Sequence, residues 1–320
     1  MKAFKKLNCL LLCLPFLFLA CEKDNDKTQD ELPPAVHEFT FIETALNDYF
    51  TENTSPLSID FKNDQIYIGD IDMNINHFDN DYTYLGLLQT SGLANINANT
   101  VRFKRIDGFY VHNQEYNFLM CYDATGHREG EINNLPDLDN QYITAIDCDL
   151  FDNVYLIYDS QTIHKYNADL SGPTIIRSNI GDLFEHGVYD FKIMSIAVDN
   201  EQNIYISVDV YDDQGEGYDA VLKFDNQLNF LESIGGNWAF NGPCGIAFDD
   251  ANYMYVVNRW NAVVKVFNNQ MELVTMSGEI DLPGADDGLL DEPIGIRIDN
   301  KKVYITEKGN HRISVFTSFN

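Results

Sequence analysis

The stretch Gly245-Ile-Ala-Phe-Asp249, followed by Met254-Tyr255, returns about fifty residues later as Gly295-Ile-Arg-Ile-Asp299, followed by Val303-Tyr304. Two earlier copies of the same phrase stand at Ala145–Asp149 and Ser195–Asp199. A fixed period of this length predicts a repeat architecture, in which each unit buries its apolar face against its neighbours.

Each unit contains short runs rich in Val, Ile, Tyr and Phe, separated by Asp, Asn and Gly, which is the pattern of strands and turns. In the fifth unit we predict strands at Cys244–Phe248, Met254–Val257, Ala262–Phe267 and Leu273–Met276. Four antiparallel strands in roughly 40–50 residues is the size of a propeller blade. The sequence therefore predicts an all-β fold, a β-propeller.

Degenerate copies in the first half of the chain complete the count of blades. A tyrosine recurs once per unit, and the six are Tyr67, Tyr110, Tyr155, Tyr205, Tyr255 and Tyr304. The chain stops at Asn320, just after the third strand of the last unit, while the run His37–Ile42 has strand character. We predict that this N-terminal run supplies the missing outer strand and closes a six-bladed ring over residues 37–320, which removes an exposed sheet edge.

The last unit resembles a known repeat. Pro293–Asp299 together with Gly309-Asn-His-Arg-Ile-Ser-Val-Phe316 resembles an NHL repeat, and the fifth unit, beginning at Pro243, is similar. The first two units depart from the pattern, with Lys62 and Lys104 near the place of the repeat Asp. The resemblance implies that the propeller is a six-bladed NHL-like ring.

Residues 1–20 have the features of a signal peptide. Lys2, Lys5 and Lys6 precede the apolar stretch Leu7–Leu19, which is too short to span a bilayer. The run Phe18-Leu-Ala-Cys21 resembles the lipobox of bacterial lipoproteins, which implies a lipid, including palmitate, on Cys21. An ordinary secretory signal with a chance cysteine is the alternative.

Residues 21–36 are predicted to be a flexible tether, because they are polar, charged and end in proline. The acidic run Glu22–Asp26 resembles the export signal of surface lipoproteins of the Bacteroidetes. We expect a chain that is anchored to the outer membrane by lipid without crossing it, and that is exposed at the cell surface. The periplasmic face of the outer membrane is the alternative location.

The chain is strongly acidic. Its formal net charge is −29, and removal of the three lysines of residues 1–20 makes it −32. Such a surface repels phosphate backbones, so no nucleic-acid partner is expected.

No catalytic signature of the common kinds is present: no G-x-S-x-G, P-loop, H-E-x-x-H or C-x-x-C. We therefore name no catalytic residue and no cofactor. Cys121, Cys148 and Cys244 are an odd number of cysteines and are interpreted as buried free thiols. The four repeat carboxylates are interpreted as turn residues that accept backbone N–H groups; they are Asp149, Asp199, Asp249 and Asp299.

Two patterns raise the question of a metal. His77, His112, His164 and His311 come from four different units, but they occupy different strand positions and are not expected to meet. The acidic run Asp70–Asp81 loosely resembles a calcium loop but lacks its glycine and its final Glu, so it is interpreted as a solvated turn. We predict no metal site.

Aromatic and polar residues concentrate in predicted loops and blade connections, which the blade order places on one face. Two of these segments are Gly181–Asp190 and Val208–Asp219. The candidate ligand-binding residues of this face are Trp238, Phe240, Arg259, Trp260, Tyr211 and Tyr218. Exposed rings beside Arg, Asn and Asp suit sugar stacking or the anchoring of a peptide. The alternative is that the two tryptophans pack under the loops.

These observations favour a binding module for a glycan, peptide or partner protein over an enzyme. The first alternative is a metal-assisted hydrolase or lyase with its site in the propeller channel, as in related six-bladed propellers. The second is a structural docking subunit of an envelope complex, which would expose a contiguous apolar patch.

Overall fold

The computed structural model of this chain describes residues 39–88, 98–105, 108–113, 118–132, 143–184, 188–212, 219–235 and 239–319. These residues form six antiparallel sheets of four strands each, which confirms the predicted all-β, six-bladed propeller. In the described ranges the one helical segment is a short 3₁₀ turn, Ile180–Leu183, and no helix is long and apolar enough to cross a membrane.

Blades 1 to 3 each use four consecutive strands, ordered from the innermost outwards. Blade 1 contains β2 (Pro56–Lys62), β3 (Gln65–Asp70), β4 (Ile75–Phe78) and β5 (Tyr84–Leu87). Blade 2 contains β6 (Ala98–Phe103), β7 (Phe109–Asn113), β8 (Phe118–Tyr122) and β9 (Arg128–Ile132). Blade 3 contains β10 (Ile143–Cys148), β11 (Val154–Tyr158), β12 (Thr162–Tyr166) and β13 (Ile175–Arg177).

Blades 4 and 5 follow the same order. Blade 4 contains β14 (Val188–Val198), β15 (Ile204–Asp212), β16 (Ala220–Phe224) and β17 (Phe230–Ile234). Blade 5 contains β18 (Pro243–Phe248), β19 (Met254–Asn258), β20 (Val263–Phe267) and β21 (Leu273–Ser277). The strands of blade 5 agree with the predicted runs to within one residue at each end.

Blade 6 joins the two ends of the chain. It contains β22 (Pro293–Asp299), β23 (Lys302–Glu307) and β24 (Arg312–Thr317), and β1 (Phe41–Ala45) pairs antiparallel with β24 as the outer strand. The N-terminal closure is confirmed, although the strand begins at Phe41 and ends beyond the predicted run. Phe39 and Phe41 both pack on Phe316, with ring centroids 5.0 and 5.5 Å away, and these contacts fix where the closing segment docks.

The repeated tyrosine of each blade packs between that blade and the next. Tyr155 belongs to the apolar cluster of blade 4, Tyr205 to that of blade 5 and Tyr255 to that of blade 6. Tyr304 closes the series by packing into the cluster of blade 1. Since burying a large apolar side chain contributes about 1.5–3 kcal/mol, the repeated tyrosines are a main source of adhesion between blades.

Blade 4 differs from its neighbours in length. Its first two strands extend further than those of other blades, and Val188 pairs with Asp212 at their far end. Val188–Asp190 and Val208–Asp212 were predicted to lie in loops, and that prediction is wrong. The alternation from Val208 to Val210, both fully buried, gives the period of a strand, and this pairing overrides the loop-like composition.

Candidate functional site

The antiparallel strands give the ring two ends. One end carries the turns between second and third strands and the connections between blades, and we call it the loop face. The other end carries the turns between first and second strands, and we call it the hairpin face. All six predicted ligand-binding residues were assigned to the loop face, and the structure places Arg259 and Trp260 there, in the turn between β19 and β20.

Trp260 is an exposed aromatic side chain on the loop face, as predicted. It is 56% exposed, and Cζ of Arg259 lies 4.7 Å from the centroid of its ring. Arg259 Nη2 also donates to Oε2 of Glu292 at 3.0 Å, in the connection between blades 5 and 6. The indole is therefore held by a charged neighbour while more than half of its surface faces solvent.

The turn that carries Trp260 rests on the connection from blade 4. The backbone N–H of Arg259 donates to the carbonyl of Gly242 at 2.9 Å, and that of Trp260 donates to the carbonyl of Asn241 at 3.3 Å. Gly242 has a φ of 63°, and a Cβ at this position would collide with Cδ1 of Trp260. Glycine is thus required both by the backbone conformation and by the close approach of the indole.

A carboxyl pair from blade 4 lies beneath this connection. Asp219 Oδ2 accepts the backbone N–H of Gly242 at 2.6 Å, and its Oδ1 accepts that of Val210 at 3.3 Å. Burial raises the pKa of Asp219 to about 6, the hydrogen bond from Gly242 opposes the rise, and the neighbouring Asp209 carboxyl adds to it. Asp219 therefore keeps its proton to a higher pH than an ordinary Asp, and its hydrogen bond with Gly242 supports the connection on which the turn of Trp260 rests.

Exposed aliphatic side chains lie in the segment that contacts Asn261, the residue after the tryptophan. Asn261 follows Trp260 in the turn, and its Nδ2 donates to Oδ1 of Asp281 at 2.7 Å. Ile280 and Leu282 flank Asp281, and both are exposed. The surface around blade 5 therefore combines an indole and two aliphatic groups with a rim of charged and amide side chains.

Phe240 does not belong to this surface, and its predicted ligand-binding role is wrong. It is only 6% exposed and packs on Phe267 of β20, with ring centroids 5.6 Å apart. An apolar ring in a short connection is buried where a strand of the same blade offers it an aromatic partner.

The remaining predicted residues contribute less to the described surface. Tyr211 lies in β15, with its backbone opposite Asp190, and its side chain is outside the described residues. Trp238, Tyr218 and Cys21 also lie outside them.

A second cluster, which the sequence reasoning did not identify, lines the central channel. In each inner strand one residue is paired in register with the repeated tyrosine and borders the same cavity. These six residues, the axial positions, are Asp60, Arg102, Asp147, Ala197, Ala247 and Arg297. The signal was present in the third residue of each repeat phrase, which is charged in four blades and alanine in the other two.

Hydrogen bonds join the axial positions of neighbouring blades. Arg102 donates through Nε to Oδ1 of Asp147 at 2.6 Å, through Nη2 to the same oxygen, and through Nη1 to Oδ1 of Asp60 at 3.4 Å. The other oxygen of each aspartate accepts a backbone N–H of the following blade, from Phe103 at 2.7 Å and Val198 at 2.9 Å. The two aspartates therefore fasten adjacent inner strands to each other.

Three of the four repeat carboxylates have the predicted role in turns. Asp199 accepts the backbone N–H groups of Glu201 and Asn203, each at 2.8 Å, and the hydroxyl of Tyr205 at 3.1 Å. Asp149 and Asp249 repeat these bonds in their own blades.

Asp299 differs from the other three because its turn is shorter. It pairs directly with Lys302 across a two-residue hairpin, and its Oδ2 accepts the Nδ2 of Asn300 at 2.8 Å. Its carboxylate borders the channel cavity, and burial, with smaller contributions from Asp64 and Asp60, raises its pKa. The sequence carried a signal for this, since Tyr304 follows Asp299 after five residues rather than six.

The candidate metal ligands do not converge. His77 stacks on Tyr67, with centroids 4.4 Å apart, while His311 Nδ1 is 2.7 Å from the hydroxyl of Ser55. Among the residues that the structure describes, no group of three or more His, Cys, Asp or Glu is arranged to hold a metal ion. Asp70 and Asp79 accept hydrogen bonds within separate turns, including one from the backbone of Asn74 and one from that of Thr83.

The three cysteines of the propeller are buried and free, as predicted. Burial raises the pKa of Cys121, of Cys148 and, to about 12, of Cys244. A thiol in such surroundings is held in its protonated form, which is a poor nucleophile.

The motif that resembles an NHL repeat forms a buried ionic network. Glu307 Oε1 accepts from Nε of Arg312 at 2.8 Å, and its Oε2 accepts from Nδ2 of Asn310 at 2.6 Å. Arg312 donates in turn to the carbonyls of Ala285 and Leu289, at 2.8 and 3.0 Å. The motif thus clamps the connection between blades 5 and 6.

Comparison with known proteins agrees with this architecture. The six closed blades define the chain as a six-bladed β-propeller. Residues 290–316 match the family of the NHL repeat, so the sixth blade carries an NHL repeat. A search of curated proteins finds no match to the sequence.

Solved structures show the same fold at low sequence identity. A protein of unknown function from Bacteroides thetaiotaomicron is similar with a TM-score of 0.64 and 13% identity, over 87% of this chain and 74% of that one. Virginiamycin B lyase from Staphylococcus aureus gives 0.55 and 10%, over 86% and 97%, and a streptogramin B lyase gives 0.55 and 12%, over 88% and 96%. These likenesses establish the fold alone.

Proposed function

We propose that this protein is a binding module whose ligand, a peptide segment or a glycan, docks on the loop face across Trp260. The observation that carries the proposal is the half-exposed indole, held on Gly242 and Arg259 rather than packed beneath a loop. A tryptophan fixed in this way offers a large apolar contact at little cost in conformational entropy.

The neighbouring side chains favour a peptide over a glycan. Ile280 and Leu282 are exposed in the segment that contacts Asn261, and Arg259, Glu292 and Asp281 supply charge in the same region. An apolar centre that is rich in Trp and surrounded by a polar rim is the usual composition of a protein–protein contact. A glycan would stack on the indole and use the same polar groups for its hydroxyls.

Arrays of peptides and of oligosaccharides, probed with the full chain, test this proposal. Removal of a central tryptophan typically costs at least about 2 kcal/mol of binding free energy, or about thirtyfold in Kd. We expect Trp260→Ala to lose the ligands that the unaltered chain retains. A variant that binds the same ligands equally well would remove Trp260 from the site.

Phe151 provides a matched control for unspecific adhesion. It is 71% exposed and lies in the turn between β10 and β11, on the hairpin face. Phe151→Ala removes an exposed ring of similar character from the opposite end of the molecule. We expect it to bind the array as the unaltered chain does, and a parallel loss in both variants would indicate general stickiness.

We also propose that the chain is anchored to the outer membrane by a lipid on Cys21 and that the propeller faces the outside of the cell. The lipobox-like run before Cys21 and the acidic tether after it support this proposal. Cys21→Ser should abolish incorporation of labelled palmitate and release the chain from membranes, whereas Cys13→Ser should leave both unchanged. Protease added to intact cells should digest the propeller, and protection from it would indicate the periplasmic face.

A further inference from the structure

The channel contains a charged row and an apolar gap at equivalent positions of the six blades. Four consecutive blades, from blade 6 through blade 3, place Arg297, Asp60, Arg102 and Asp147 at their axial positions, with alternating charge. Blades 4 and 5 place alanines there, and these leave open the space that a longer side chain would fill. The resulting cavity measures about 330 Å³.

The two arginines of the row differ in how well their charge is compensated. Burial disfavours the charged form of Arg102, but Asp147 and Asp60 outweigh this effect and raise its pKa. Burial and the charge of Arg102 together lower the pKa of Arg297. The charge of Arg102 is therefore compensated by two aspartates. Arg297, at the end of the row, is next to Asp60 alone, and Asp60 is already hydrogen-bonded to Arg102.

The contacts of Arg297 show the same deficit. Its Nε lies 3.7 Å from Oδ1 of Asp60, beyond hydrogen-bond distance, and has no hydrogen-bond partner among the residues that the structure describes. Its Nη1 donates to the carbonyl of its neighbour Ile296 at 3.2 Å. A guanidinium that is only 19% exposed and has so few acceptors gains from an anionic ligand that can accept from it.

The opposite wall of the cavity has a different character. Besides Ala197 and Ala247, blades 4 and 5 contribute Val198, Ile246 and Phe248 to it. A ligand that spans the cavity would meet a cation on one side and small apolar groups on the other. The size is sufficient, since a cavity of about 150 Å³ already accommodates benzene.

We propose that the channel cavity binds a small organic carboxylate, with its carboxylate group on Arg297 and its apolar group against Ala197 and Ala247. A monoanion suits the site better than a phosphate dianion, because Asp60, Asp147 and Asp299 border the cavity and repel additional negative charge. The lysines that border it are already engaged, Lys62 by the carbonyl of Lys104 and Lys104 by Glu129. Planar carboxylate and guanidinium groups also match in geometry. The hairpin-face turn residues Asn63 and Asp64 border the cavity, so this site is separate from the loop-face surface around Trp260.

Benzoate is a suitable probe, and saturation-transfer NMR on the full chain would measure its binding. We expect benzoate to bind, and benzamide, its neutral analogue, to bind at least about tenfold more weakly because it lacks the charge-assisted contact. Equal binding of benzamide would show that the cavity binds the aromatic ring without using the charge of Arg297, which would overturn the proposal. Displacement of benzoate by a lower concentration of inorganic phosphate, measured as loss of the benzoate signal, or no binding of benzoate, would also overturn the proposal.

Two substitutions test the two halves of the site separately. Arg297→Gln removes the cation, and Ala247→Leu fills the apolar gap while leaving the cation in place. Each should weaken benzoate binding by about tenfold or more. Arg128→Gln is the control, because Arg128 is half-exposed on β9 and pairs with Glu131 outside the channel. Benzoate binding that survives either channel substitution unchanged would contradict the proposal.

Discussion

The turns between the second and third strands of blades 5 and 6 share one backbone geometry but differ in which side chains they expose and bury. Both enclose four residues, between Asn258 and Val263 in blade 5 and between Glu307 and Arg312 in blade 6. The first two residues of each turn donate their backbone N–H groups to two carbonyls of the preceding connection. In this alignment Trp260 of blade 5 corresponds to Gly309 of blade 6. Blade 5 exposes the side chain of Trp260 in its turn, whereas in blade 6 the residues that flank the turn, Glu307 and Arg312, bury their side chains.

The position of the glycine decides between these outcomes. In blade 5 the connection contributes Gly242, and the indole of Trp260 lies directly against it. In blade 6 the turn contributes Gly309, and the carboxylate of Asp291 occupies the space where its Cβ would be. In blade 5 the glycine is in the connection and the turn carries the exposed indole, an arrangement that we call the platform. In blade 6 the glycine is in the turn and the connection packs against it, an arrangement that we call the clamp.

The largest effect is expected from breaking the clamp of blade 6. All the groups that contact the Glu307 carboxylate are donors, from Arg312, Ser314, Asn310 and the backbone of Asp291. Glu307→Gln would turn an amide donor towards them and leave Arg312 buried without its counter-charge. We expect a loss of about 3–5 kcal/mol in the free energy of unfolding, measured by urea denaturation.

The platform of blade 5 supplies the control for this prediction. Glu292 pairs with Arg259 at 3.0 Å, but both side chains are partly exposed. Glu292→Gln should cost no more than about 1 kcal/mol, because exposed ion pairs contribute little. Similar losses in both variants would mean that the two turns do not differ in the way described.

The next effect tests the contact between Gly242 and the indole. Gly242→Ala places a Cβ at a φ of 63°, which costs roughly 1–2 kcal/mol, and adds the collision with Trp260. The double variant with Trp260→Ala should recover the steric part and keep the backbone part. A double-mutant cycle by urea denaturation measures the coupling, and additive effects would show that the two residues are not in contact.

The sequence alone was sufficient to predict the closed, six-bladed ring. The spacing of the repeat phrase, the six tyrosines and the surplus strand at the N-terminus together predicted six closed blades. Trp260 and Arg259 were also placed correctly, because a short turn between two well-marked strands leaves little freedom for its residues.

The channel could not be assigned in the same way because the inner strands are irregular. Each pairs with its neighbour through a register shift near its start, for example between Pro243 and Gly245. A shift of one residue exchanges the side chains that face the channel with those that face the neighbouring blade. The alternation of polar and apolar residues in the strand was therefore not enough to place Arg297 in the channel. Phe240 was misassigned for a related reason, since its buried partner Phe267 is distant in sequence.

The smallest expected effect concerns the support of the platform. The pKa of Asp219 in the folded chain, about 6, lies above the usual value for an unfolded Asp, about 3.9. The native state therefore binds the proton more tightly, so this contribution to stability is present at pH 4 and is lost as the pH rises through 6. The amide introduced by Asp219→Asn would keep an oxygen for the backbone N–H of Gly242, lose the longer bond from the N–H of Val210 and offer a donor to Asp209. We expect this variant to be the more stable chain at pH 7, by roughly 1 kcal/mol after allowance for partial exposure.

Asp123 gives the same experiment an internal contrast. Hydrogen bonds from Thr125 and from the backbone of His127 lower the pKa of its carboxyl, so its contribution is present above the unfolded pKa and is lost as the pH falls. Relative to the unaltered chain, the unfolding free energy of Asp219→Asn should therefore rise with pH between 4 and 7, whereas that of Asp123→Asn should rise as the pH falls below about 4. Loss of both effects at the same pH would mean that the pKa of Asp219 is not raised in the folded chain. The platform under Trp260 would then rest on the hydrogen bond to Gly242 alone.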